Sequence, residues 1–133
     1  MSGNQSAQTS LSSDRFEFEV EIEDPATGLT TNFTMEVDTG NPIALALPRH
    51  CTHFFTHKMG TVNMSGAGSM QSPAYNARVT AIDSIQMDYE TMAVMTLTDS
   101  DYGLLGIELL KHMKTEIYDD PDSKKLRLEA THI

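Results

Sequence analysis

A chain of 133 residues, 39% hydrophobic and 21% charged, can bury one core and is too apolar to be wholly disordered. Nine Lys and Arg against nineteen Asp and Glu give a net charge of −10, which argues against nucleic acid and anionic membranes, since phosphate contact needs basic side chains. Cys51 stands alone, no apolar run exceeds Ile43–Leu47, and no basic region with an apolar run opens the chain. The expectation is therefore a soluble cytoplasmic domain with no disulfide framework, no membrane span and no secretory leader.

Residues 1–14 have almost nothing to bury and read as a disordered N-terminal tail, leaving 15–133 as the domain. Phe16, Phe18, Val20 and Ile22 alternate with Glu17, Glu19, Glu21 and Glu23, the period-2 pattern of a strand with one dry and one wet face. The Glu row reads as a solvated face rather than a cation site. Asp24-Pro25-Ala26-Thr27-Gly28 carries turn chemistry, and Thr30 to Val37, with Phe33, Met35 and Val37 on one face, completes a hairpin. Ile43 to Leu47 predicts a short strand stopped by Pro48, and Pro48 to His57 one or two helical turns. Met59 to Ser72, rich in Gly, Ser and Met, reads as a hairpin or loop around Gly66-Ala67-Gly68. Ala74 to Ile82 and Ile85 to Leu97 predict two more strands. Ile107, Leu109, Leu110 and Met113 fit one face of a helix over 107–113. Thr115 to Tyr118 and Lys125 to Leu128 close the chain as strands about an acidic turn. The fold class is mostly β with one short helix near the C-terminus.

Asp38-Thr39-Gly40 is delivered by the apolar strand that ends in Met35-Glu36-Val37. Far downstream, Leu104-Leu105-Gly106 precedes the amphipathic helix and the closing strand pair. With Leu45-Ala46-Leu47-Pro48 and Ala74-Tyr-Asn-Ala-Arg-Val79 between them, these stretches fall in unbroken order over 16–129. Together they resemble the retropepsin-like aspartic proteases, in particular the small single-domain aspartyl proteases of bacteria and archaea. The resemblance implies half of an acid-protease β-barrel, closed by homodimerisation. Asp38 would be the catalytic carboxylate. Thr39 would join the active-site loops of two subunits through its hydroxyl, and Gly40 would permit close backbone approach. Leu104, Leu105 and Gly106 would support the loop from behind. The hairpin Met59 to Tyr75 would be a flap, with Met64, Gly66, Ala67, Gly68 and Ser69 touching a peptide or protein substrate.

One Asp-Thr-Gly per chain has a consequence. Peptide hydrolysis of this kind needs one carboxylate to take a proton from water and another to donate one to the carbonyl oxygen. Two neighbouring carboxyls cannot both ionise, so the pair shares its protons. A homodimer with Asp38 from each subunit on a two-fold axis supplies the pair, with no metal, no cofactor and no covalent intermediate. Activity is expected to be best at mildly acidic to neutral pH. Where the family carries a small or apolar residue after Asp-Thr-Gly, this chain has Asn41-Pro42. That departure motivates the alternative, a catalytically weak or inactive binding or assembly module on the same fold.

Other groups have plainer readings. His50, His53 and His57 share a helical spacing beside Cys51, a possible zinc or copper set, but surface histidines are the default. Cys51 has no strained elbow to make it a nucleophile. The abundant methionines suit gap filling in a core or interface. Asp119, Asp120 and Asp122 lack calcium-loop spacing and read as a solvated turn.

Overall fold

The computed structural model describes residues 5–64, 70–96 and 100–130. Ten strands run in chain order. They are β1 (Ser6–Ser10), β2 (Glu17–Glu23), β3 (Thr30–Val37), β4 (Leu45–Leu47), β5 (Lys58–Met64), β6 (Met70–Ile82), β7 (Ile85–Met95), β8 (Gly103–Leu105), β9 (Met113–Asp120) and β10 (Ser123–Ala130). A 3-10 helix covers Arg49–Phe54, and a one-turn helix α1 covers Ile107–Leu110.

The alternating β2 segment folds as its pattern requires: Phe18, Val20 and Ile22 are buried, while its glutamates face outward. The Asp24 turn returns the chain into β3, with Phe18 opposite Met35 and Val20 opposite Phe33. Asp24 is itself fully buried, and its carboxylate accepts hydrogen bonds from the Ala26 N–H (3.3 Å) and the Thr56 hydroxyl (2.9 Å). It thereby ties the hairpin turn to the segment after the 3-10 helix, and a buried carboxylate needs such partners.

The strands order as β2-β3-β8-β4-β7-β6-β5, and β2 also pairs with β6. That last pairing, Val20 with Ile82 through Glu23 with Arg78, closes six strands into a barrel and leaves β5 outside it. Closure removes the free edges that an open sheet would expose. Phe18, Ile22, Met35, Leu45, Ile82 and Leu105 fill the interior. β5 and β6 form the long hairpin expected at Met59 to Tyr75, with register running from Lys58–Tyr75 to Met64–Met70. Of the proposed flap residues, Met64 lies in β5; Gly66, Ala67, Gly68 and Ser69 lie outside the described residues.

A second sheet, β1-β10-β9, packs beside the barrel through Ala7, Leu126 and Leu128. Within the segment 1–14 expected to be a tail, Ser6–Ser10 is instead a strand, β1, which pairs antiparallel with β10 from Ser6–Glu129 to Ser10–Lys125; residues 1–4 lie outside the described residues. The helix is also shorter than its periodicity predicts. It ends at Leu110 because Met113 is drawn into the β9 ladder opposite Ala130. Among the described residues no helix is long and apolar enough to cross a membrane.

Candidate active site

β3 and β4 are consecutive in the chain but are not neighbours in the sheet. β8 lies between them, parallel to β3 and antiparallel to β4. The loop 38–44 must therefore cross over the end of β8. Three main-chain hydrogen bonds lace it there. The Asp38 N–H donates to the Leu105 carbonyl, the Gly106 N–H to the Ala44 carbonyl and the Ile107 N–H to the Asn41 carbonyl, each at 2.9 Å. The two motifs singled out in the sequence, Asp38-Thr39-Gly40 and Leu104-Leu105-Gly106, thus meet in space.

Gly106 is required by this crossing. A Cβ on it would lie 1.5 Å from the Ile43 carbonyl oxygen and 2.7 Å from that of Asn41. Leu105 is fully buried beneath the loop, and Leu104 is half-buried on the opposite face.

Asp38 is half-buried; Thr39 and Gly40 are exposed. The Gly40 N–H donates to Asp38 Oδ1 at 3.1 Å, and the Asn41 N–H to the Asp38 carbonyl at 3.1 Å, so the tripeptide forms a tight turn around its own carboxylate. Within the single chain nothing crowds Gly40: an added Cβ would meet only Asp38 Oδ1 at 3.4 Å. The close approach that the resemblance assigns to Gly40 is therefore not made inside one protomer. Asn41 is buried, and its Oδ1 accepts from the Ile43 N–H at 3.3 Å, which steers the chain past the exposed Pro42 into β4. Its Nδ2 is buried without a partner.

A further carboxylate borders the turn. Glu36 lies two residues before Asp38; alternation along β3 puts it on the face away from Phe33, Met35 and Val37, and it is near enough for the Asp38 charge to act on it. Burial, and after it the charge of Asp38, hold the Glu36 carboxyl above the ordinary carboxylate range; Arg15 opposes the shift and Glu17 adds to it. Arg15 donates from Nε to Glu17 at 2.8 Å and lies 4.1 Å over the Tyr102 ring. Sequence reading had no reason to single out Glu36, one acid among several on solvent faces. The signal was its place two residues before Asp38.

The other candidates lie elsewhere. His50 and His53 lie in the 3-10 helix, whereas His57 falls beyond its end, so the three do not share one helical face. Among the described residues no group of three or more His, Cys, Asp or Glu side chains is placed to hold a metal ion. A cleft of about 410 Å³ between the first half of β3 and the 3-10 helix is lined by Thr31, Phe33, His50, Cys51, Phe54 and Tyr102, away from Asp38. In the acidic turn, Asp119 pairs with Lys124 at 3.0 Å and Asp120 with Lys125 at 3.2 Å.

No protein-family model matches the chain, and no curated protein matches it in sequence. Among solved structures it is similar to a retropepsin-like aspartic protease from Rickettsia conorii, with a TM-score of 0.59 over 96% of this chain and 92% of that one, at 17% identity. The fold is retropepsin-like. In a retropepsin-like fold, the crossing of loop 38–44 over β8 is the feature that holds Asp-Thr-Gly at a strand end, with its carboxylate turned out of the core.

Proposed function

We propose that the protein is an aspartic endopeptidase that acts as a homodimer, with Asp38 of each protomer forming the catalytic pair. The observation that carries this reading is the position of Asp38 in a retropepsin-like fold. It stands at the end of β3, tied through its own N–H to Leu105 and through its Oδ1 to the Gly40 N–H. One carboxylate of the pair, ionised, takes a proton from water as that water attacks the peptide carbonyl carbon. The other, protonated, donates to the carbonyl oxygen. Collapse of the tetrahedral intermediate expels the amine, which leaves with a proton from the pair. Thr39 is exposed on the turn and makes no hydrogen bond among the described residues, so it is available to the other protomer's loop. The β5–β6 hairpin is the flap, and an extended peptide is held beneath it.

The test is Asp38→Asn, which preserves shape and removes the acid. Cleavage of a peptide library by the wild type should disappear in the variant. Undiminished cleavage in the variant overturns the reading.

A further inference from the structure

We propose that Glu36 is the specificity-determining residue of the Asp38 site and selects peptides with Lys or Arg beside the scissile bond. The inference rests on the peptidase reading and names its substrate class. A peptide whose carbonyl reaches Asp38 at the end of β3 passes close to Glu36, which lies two residues earlier on that strand. Two residues of extended backbone separate them, about 7 Å, a span that a Lys or Arg side chain can bridge.

The neighbours of Glu36 suit that occupant. In the β3–β8 ladder Glu36 is directly opposite Leu104, whose half-buried side chain lies on the same face. A long basic side chain can lay its methylene stem on Leu104 and place its charge at Glu36. In the β2–β3 ladder its partner is Glu17, so that side supplies no cation. Arg15 is the basic group at hand, and it is already committed to Glu17 at 2.8 Å and to the Tyr102 ring at 4.1 Å. Arg15 is shared with Glu17, and its effect on Glu36 is smaller than that of Asp38, so the Glu36 charge is only partly offset. No hydrogen bond or ion pair engages the Glu36 carboxylate among the described residues. A substrate cation fills that deficit and an acidic side chain worsens it. Two-fold pairing sets one Glu36 on each side of the bond to be cut, so basic residues on both flanks are favoured over one.

The experiment uses the full chain and a peptide set identical except for Lys, Arg, Gln or Glu at the positions flanking the cleaved bond. In the wild type, kcat/KM for Lys or Arg should exceed that for Glu by about tenfold or more. The Glu36→Gln variant should bring the ratio near one, and Glu36→Lys should invert it. Each ratio is taken within one variant, so a partial loss of folded protein does not distort it, and the isosteric Gln variant stands if the Lys variant fails to fold. Cleavage by the wild type with no basic preference, or a preference unchanged in Glu36→Gln, overturns the inference and leaves the peptidase reading standing. No cleavage of any peptide, with Asp38→Asn indistinguishable from wild type, overturns that reading and this inference with it.

Discussion

At Gly106 the backbone itself leaves no room. A methyl group there would overlap the Ile43 carbonyl, and neither that oxygen nor the Asn41 carbonyl can withdraw, because both belong to the loop laced onto β8. Flexible side-chain ends yield cheaply; hydrogen-bonded backbone does not. Gly106→Ala is therefore expected to cost about 3 kcal/mol or more, measured by urea unfolding, and to displace the Asp38 loop. Gly40→Ala, which meets only an ordinary contact within the protomer, should cost the isolated protomer far less by the same measurement. Glu36 makes a different prediction. Its carboxyl is held above the ordinary range by burial and by Asp38, so between the unfolded and folded values the native state binds more protons than the unfolded one. Stability contributed at this position is thus present at low pH and is lost as pH rises through that window. Compared with wild type, Glu36→Gln should gain in melting temperature as pH rises from about 4 to above the raised Glu36 value, and the difference should then level off. A flat difference over that range would show that the position carries no such linkage.

At the scale of elements, a strand with an alternating buried face was legible, and two strands held mainly by their neighbours' main chains were not. Phe18, Val20 and Ile22 announce β2 because burial on one face leaves a period in the sequence. β1 leaves none: of Ser6–Ser10 only Ala7 is buried, and main-chain pairing with β10 holds the strand. β8 is three residues long and is a strand only because β3 and β4 flank it. The Asp-Thr-Gly and Leu-Leu-Gly motifs were legible as words, but their meeting depends on the non-neighbouring order of β3 and β4, which no local pattern encodes. β9 carries an element-scale prediction. Among the described residues it pairs only with β10, and its other edge has no strand partner. Ile117 is opposite the buried Leu126 and shares its face, yet it is 56% exposed. An apolar side chain on a packing face with nothing over it suits cover by the same strand of a second copy. Ile117→Lys should shift the sedimenting species to a single protomer at concentrations where wild type is paired, while leaving the far-ultraviolet circular dichroism of the protomer unchanged. A variant that sediments as wild type would remove β9 from the interface.

For the whole molecule, net charge and the proposed pairing of two Asp38 carboxylates pull in opposite directions. Each chain carries −10, so the proposed pairing would bring two strongly acidic bodies together and concentrate carboxylates where the Asp38 residues would meet. In that pairing each barrel would frame one half-site, and association would work against the repulsion. Salt screens it: the Debye length is about 10 Å at 0.1 M and about 3 Å at 1 M. The concentration at which half the chains are paired should therefore fall as sodium chloride is raised from about 0.05 to 0.5 M, read by sedimentation velocity across a dilution series. Activity per chain should follow the same curve, because a lone protomer carries one Asp38 and cannot hold the shared proton. Peptide cleavage per chain that stays constant while the sedimenting mass falls to one protomer would place the chemistry within a single chain. A dimer that loosens with salt would mean that opposite charges, not apolar contacts such as Ile117, hold the two copies together.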